Sequence, residues 1–177
     1  MATIPTDLNS ISNPTAGGVI VTAWGDEIRA WMQFLKDPPT CSVYGAAQSL
    51  ANDTAETLLA ASENHDNDSM HSVTTNTGRI TCVTAGRYLF TATVEFDANS
   101  TGRRLVYLRK NAGTTLGTDL WLLYSSAAPV SPTTAVGTAT KMLVLAATDY
   151  VEVRANQNSG GALDGTLTEF AATMLTF

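Results

Sequence analysis

The chain has 177 residues, a net charge of −6 and a charged fraction of 15% beside 44% hydrophobic residues. That length holds one domain with a core and a short extra segment, and an acidic chain without a basic patch is not expected to bind nucleic acid. A charged fraction well below the usual quarter points to surface covered by other subunits. Residues 1–20 lack the basic start and apolar run of a secretion signal, and no apolar segment approaches the ~20 residues that cross a bilayer, so membrane insertion is not expected.

Residues 1–12 read as a polar arm, and Asn13–Gly18 as a breaker. The spacing then predicts a helix over Ala23–Lys36, because Trp24, Ile28, Trp31 and Leu35 recur at steps of four, three and four and form one stripe. Thr22 is its candidate N-cap, Asp26 and Glu27 sit in the first turns and Lys36 in the last, as the helix dipole prefers. Asp37-Pro38-Pro39 ends it, since the residue before proline is driven off helical angles. From Cys41 onward the pattern is strands and turns, with strands predicted at 41–45, 57–62, 79–83, 86–96, 104–110, 120–125, 138–144, 149–157 and 169–176. The clearest is Gly86–Phe96: Tyr88, Phe90, Ala92, Val94 and Phe96 fall on one face and Leu89, Thr91, Thr93 and Glu95 on the other. Turns are expected at Asn99–Gly102, Asn111–Gly113, Pro129–Pro132 and Asn156–Gly161, with a long loop beginning at Ser125 and running into the next strand. Short strands punctuated in this way indicate an all-β antiparallel sandwich or barrel.

Nothing in the chain matches a catalytic motif. Glu95, Asp97 and Glu152 are isolated carboxylates in or beside strands, and Asp164 is expected in a turn. The densest polar cluster, Asn64–Asp68 with His71, places Asp66 and Asp68 as hard oxygen donors of the kind that hold calcium. It lacks a glycine turn and a later bidentate Glu, and a solvated loop with Asx turns explains it as well. His65 and His71 have no zinc spacing with either cysteine. Cys41 and Cys82 could pair across adjacent strands, although two cysteines without a secretion signal are more often free and buried. Trp121 and Tyr124 offer a sugar-stacking platform, or else core or interface aromatics. Arg103, Arg104, Arg109 and Lys110 form the one basic cluster, which strand alternation splits between two faces.

The order GRITCVTAGRYLFTATVEF, LVYLRKN, LAATDYVEVRANQNSGG and the terminal FAATMLTF resembles the globular-head domains of the complement first component and tumour necrosis factor relatives, over about Cys41–Phe177. The chain departs at Thr148, where that group carries Gly, and at Ala112, which separates Asn111 from Gly113. FLKDPP at 34–39, DNDSMHS at 66–72, NTGRIT at 76–81 and ANSTGRR at 98–104 are similar to versions of this domain in bacteriophage structural proteins. The resemblance implies a ten-stranded jelly-roll sandwich, a homotrimer and a place on a virion surface, without catalysis. Residues 1–40, with Trp24, Ile28, Trp31 and Leu35 as contact residues, are then expected to anchor the domain 41–177 to a major capsid or other virion protein, or to pack on the protein itself. The alternative is a receptor-binding tail-fibre tip that recognises host-surface glycan.

Overall fold

Helix α1 spans Thr22–Lys36, so Thr22 lies inside it rather than capping it, and its first turn carries no acidic residue. Asp26 sits further along and accepts a hydrogen bond from Arg29 at 2.7 Å. The helix closes where the Asp37 N–H reaches the Gln33 carbonyl at 2.9 Å, ahead of the two prolines. Ile28 and Trp31 are half-buried and Phe34 is buried, whereas Leu35 is 75% exposed and Met32 65%. No described helix is long and apolar enough to cross a membrane.

The computed structural model describes residues 22–111, 120–125 and 135–176. The arm and breaker of residues 1–18, the turn residues Ala112 and Gly113, the turn at Pro129–Pro132 and the side chains of Trp24, Trp121 and Tyr124 lie outside the described residues. The chain divides into two units, Met1–Pro39 and Thr40–Phe177. Among the described residues the second contains eleven strands: β1 Thr40–Tyr44, β2 Ala47–Leu50, β3 Glu56–Thr57, β4 Ser62–Asp66, β5 Arg79–Thr81, β6 Gly86–Phe96, β7 Arg104–Lys110, β8 Leu120–Ser125, β9 Ala135–Leu145, β10 Tyr150–Gln157 and β11 Leu163–Thr176. They form two antiparallel sheets. The first runs β4-β1-β11-β6-β9 with β2 also on β11, and the second runs β3-β10-β7-β8 with β5 also on β10. This is a jelly-roll sandwich, with one strand more than the ten implied; the surplus lies in short pieces such as the two-residue β3.

The core lies between the sheets. Tyr88, Phe90, Ala92, Val94 and Phe96 of β6 are all buried, as their alternation predicts, and Phe90 packs on Phe170 of β11 with ring centroids 6.0 Å apart. Ile80, Val106, Leu108, Val151 and Val153 face them from the second sheet. In β11 the inward residues are Leu163, Gly165 and Leu167, then Phe170, Ala172 and Met174. The phase changes because the register with β6 shifts between Leu167 and Glu169, a bulge that places Thr168 where its hydroxyl donates to the Thr93 carbonyl at 3.0 Å.

Several elements differ from the sequence expectation. Asp164 is not in a turn but in β11, opposite Ser49 of β2. Asn156 and Gln157 belong to β10, and the turn is confined to residues 158–161. The buried Gln157 donates from Nε2 to the carbonyls of Leu50 and Gly161 and accepts from the Ser159 N–H, so its side chain ties β2 to that turn. The expected strand at 57–62 is two strands, β3 and β4, joined by 58–61, whose Leu58 and Ala60 N–H groups bond to Val153 and Thr77. Cys41 and Cys82 are both buried free thiols. Burial, with the charges of Asp66 and Glu63, pushes the Cys41 thiol up to about 12.

Lys141 lies on the inward phase of β9, directly opposite Phe90, on a strand that forms the edge of its sheet among the described residues. The β9–β10 turn contains Thr148 at a φ of +76°, the left-handed region that a β-branched side chain rarely adopts. Its N–H bonds to the Cys82 carbonyl at 2.8 Å, and Asp149 accepts from the Ala146 N–H at 2.9 Å, from Asn111 at 2.6 Å and from Lys110 at 2.7 Å. Those bonds hold the strained residue in place. Replacing Thr148 by Gly removes the Cβ conflict at the cost of some unfolded-state entropy, and should stabilise the fold by about 1 kcal/mol in a denaturant titration. A loss of stability would show that the turn is not strained.

Candidate functional site

The predicted calcium candidates lie in a loop that the protein itself organises. Asp66 ends β4, and its carboxylate accepts backbone N–H groups from Asp68 at 3.2 Å, Met70 at 3.0 Å and His71 at 2.9 Å. Asp68 accepts from the Thr84 hydroxyl at 3.0 Å, while burial pushes its carboxyl up. The His71 side chain is fully buried, with Nδ1 2.8 Å from Glu63 Oε1 and Nε2 3.0 Å from the Thr77 carbonyl. The cluster thus folds residues 67–72 over the sheet edge. No group of three His, Cys, Asp or Glu residues gathers as metal ligands would among the described residues.

The two sheets turn different surfaces outward. On the first sheet, register places Thr40, Thr173, Leu89 and Met142 in one row and Ser42, Ala171, Thr91 and Thr140 in the next, followed by Glu169, Thr93 and Thr138. These three rows carry a single charge, Glu169. Beyond them Val144 pairs with Arg87 and is 69% exposed, and Met142 is 50% exposed. Met142 and Val144 were missed as site residues. The signal was available, since KMLVL is apolar on both phases of a strand, and a free outward face needs only one.

The outward face of the second sheet is laced with charge. Arg109 of β7 donates through Nε at 2.8 Å, and through its terminal nitrogen, to Glu152 of β10. Arg154 donates to the Ala55 carbonyl, and the Arg79 guanidinium lies 4.5 Å from the centroid of the Tyr150 ring. The basic cluster of the sequence is dispersed. Arg103 lies 3.7 Å from Asp53, Arg109 holds Glu152 and Lys110 holds Asp149. Arg104 points inward at 1% exposure, its guanidinium donating to the carbonyls of Asn99, Thr101 and Arg103.

Neither a family model nor a curated protein matches the chain. Its fold is similar to that of solved structures. The PRD1 vertex protein P5 is 18% identical, with a TM-score of 0.56 over 77% of this chain and 97% of that one. The globular domain of zebrafish complement 1qA protein is 16% identical, with a TM-score of 0.53 over 77% and 97%. The Eiger tumour necrosis factor of S. frugiperda is 12% identical, with a TM-score of 0.50 over 78% and 92%. All share the jelly-roll fold with this chain, and at these identities the likeness establishes the fold alone.

Asp66 is the residue on which the 67–72 loop turns. Asp66→Ala should cost about 2 kcal/mol, because three N–H groups lose a charged acceptor, and should expose the amides of Asp68, Met70 and His71 to rapid hydrogen exchange. Asp66→Asn, which keeps one acceptor oxygen, should lose roughly half as much. Unchanged exchange in the alanine variant would mean that the loop is held by other contacts.

Proposed function

We propose that the chain is a non-enzymatic structural protein of a bacteriophage particle: a homotrimeric decoration or short-fibre protein on the virion surface, joined to a major capsid or other virion protein by residues 1–40. The observation that carries the trimer is the contrast between the two outward faces. One sheet carries Arg79, Arg109, Glu152 and Arg154 on its outward face, and the other presents three rows of threonine and small residues with one charge, Glu169, where Met142 is exposed and Val144 stands beside Arg87 in the row beyond. An exposed apolar side chain gains about 1.5–3 kcal/mol when fully buried, and permanent assemblies bury large, comparatively apolar faces. Threonine rows add hydroxyl pairs across an interface without stranding a charge there.

The anchor reading rests on α1, where Ile28, Met32 and Leu35 bring a broad apolar arc to the surface beside the half-buried Trp31. An amphipathic helix with that much uncovered apolar surface suits docking on a second protein. The likeness to a vertex protein supports a place on a particle, and the Met1–Pro39 unit supplies a segment separate from the jelly roll to make the attachment.

Two experiments test the parts separately. In light scattering after size exclusion, the intact chain should run at three times its 18.7 kDa mass, and Val144→Asp combined with Met142→Asp should run as a folded monomer. An intact chain that runs as a monomer, or a variant that stays trimeric, would refute the interface. Removal of residues 1–40 should leave a trimer that no longer joins particles in an assembly assay, and normal occupancy by the truncated protein would end the anchor reading.

A further inference from the structure

The outward face of the second sheet bears a groove that neither trimer formation nor anchoring uses. Two depressions, of about 480 Å³ and about 240 Å³, meet at a common wall made by Asn76 and Arg79. The first lies within the size range of small-molecule sites. It is lined by Thr57, Leu59, Tyr150 and Glu152 as well as by that wall, and the second by hydroxyls of the 69–75 loop and by His71. The segments DNDSMHS and NTGRIT, which stood out in the sequence, thus come together around one groove.

Arg79 gives the groove its chemistry. Its neighbours on this face, Arg109 and Arg154, are engaged by Glu152 and by the Ala55 carbonyl. Arg79 has no acceptor for its guanidinium N–H groups among the described residues, yet its position is fixed: the Tyr150 ring lies 4.5 Å away, and β5 pairs Arg79 directly with Glu152. A held guanidinium fork with free donors matches a carboxylate in two parallel bonds. Glu152 takes both Arg109 contacts on its Oε2, and no hydrogen bond joins it to Arg79 among the described residues. Glu63, which lines neither depression, lies against His71. The surroundings then select the rest of the ligand. Hydroxyls of Thr57, Thr74 and Thr75 and the Asn76 amide suit a ligand rich in hydroxyl groups, while Leu59, 54% exposed, offers an apolar surface to the C–H face of a ring. A single free cation beside the Glu152 carboxylate, on a chain of charge −6, disfavours a polyanion.

We infer that this groove binds a carboxylate-bearing sugar, with Arg79 gripping the carboxylate and Asn76 and the threonines reading the hydroxyls. The ligand class is that of acidic residues in cell-surface saccharides, and the site is independent of the face proposed for trimerisation. The site also differs from the aromatic pair Trp121 and Tyr124 that the sequence suggested.

Saturation-transfer NMR on the full chain tests this with N-acetylneuraminic acid and glucuronic acid as probes, and glucose and inorganic phosphate as comparators. At least one acid should bind saturably at about 1–10 mM, as one ion pair and a few hydrogen bonds in water provide. Glucose should bind at least about tenfold more weakly. Arg79→Ala should abolish the acid signal, Arg79→Lys should weaken it about tenfold by removing the fork, and Arg103→Ala should leave it unchanged. Arg79→Lys keeps charge and stem, so the test stands even where Arg79→Ala does not fold. The inference is overturned if neither acid saturates by about 100 mM, if glucose binds as well as the acids, if Arg79→Lys binds as tightly as the parent, or if phosphate displaces the acid at equal concentration, which would mark a simple anion pocket.

Discussion

The first sheet depends on β11. It lies at the centre of that sheet, paired with β6 along most of its length on one side and with β1 and β2 in succession on the other. Removing it would leave β1, β2 and β4 with no connection to β6 and β9. Because β1 and β11 stand at opposite ends of the domain's sequence, their pairing requires closure of the largest loop in the jelly roll. The core can therefore close only after long-range contacts form, the pattern associated with slow folding. The bulge at Thr168 lets one long strand serve two partners in different phases, with Leu167 before it and Phe170 after it both directed into the core.

Polar side chains close the ends of the sandwich. Gln157 secures β2 and the 158–161 turn, and Arg104 gathers the carbonyls of residues 99–103. Asp149 joins the β7 and β10 ends through Lys110 and Asn111. Burial pushes the Asp149 carboxyl up, but the bonds from Lys110, Asn111 and Ala146 outweigh it and leave the carboxyl below its ordinary range. Close backbone passage completes these ends. At Gly102, with a φ of +76°, a Cβ would stand 2.0 Å from the Asn158 carbonyl oxygen, so only glycine fits between the two turns.

How much of this was legible follows from where apolar alternation is expressed. β6 has one buried face and a clean period of two, so its core residues could be read directly. β4 is SENHD, an edge strand with no apolar phase, and its pairing with β1 leaves no trace in hydrophobicity. The start of β11 was hidden because its bulge exchanges odd and even positions, which makes LDGTLTEF look irregular. Asp66 and Asp68 were legible as a cluster but not as a loop fastener, since that role depends on where the later N–H groups fall. The Arg79 groove joins residues from β3, β5, β10 and the 69–77 loop, a convergence that only the register of β5 on β10 reveals. Thr148 was visible as a departure at a glycine position, and its positive φ gives that departure a physical meaning.

Lys141 shapes how copies of this protein can meet. A sheet edge offers unpaired N–H and carbonyl groups to any extended chain, and copies that add edge to edge do so without limit. The inward ammonium on β9 would have to be stripped of water for a second sheet to continue this one, a large penalty that no apolar neighbour repays. Open-ended polymerisation by strand addition is thereby discouraged along β9. Contact through a face can close on itself, so copies of this chain at high concentration are steered toward finite assemblies and away from fibres.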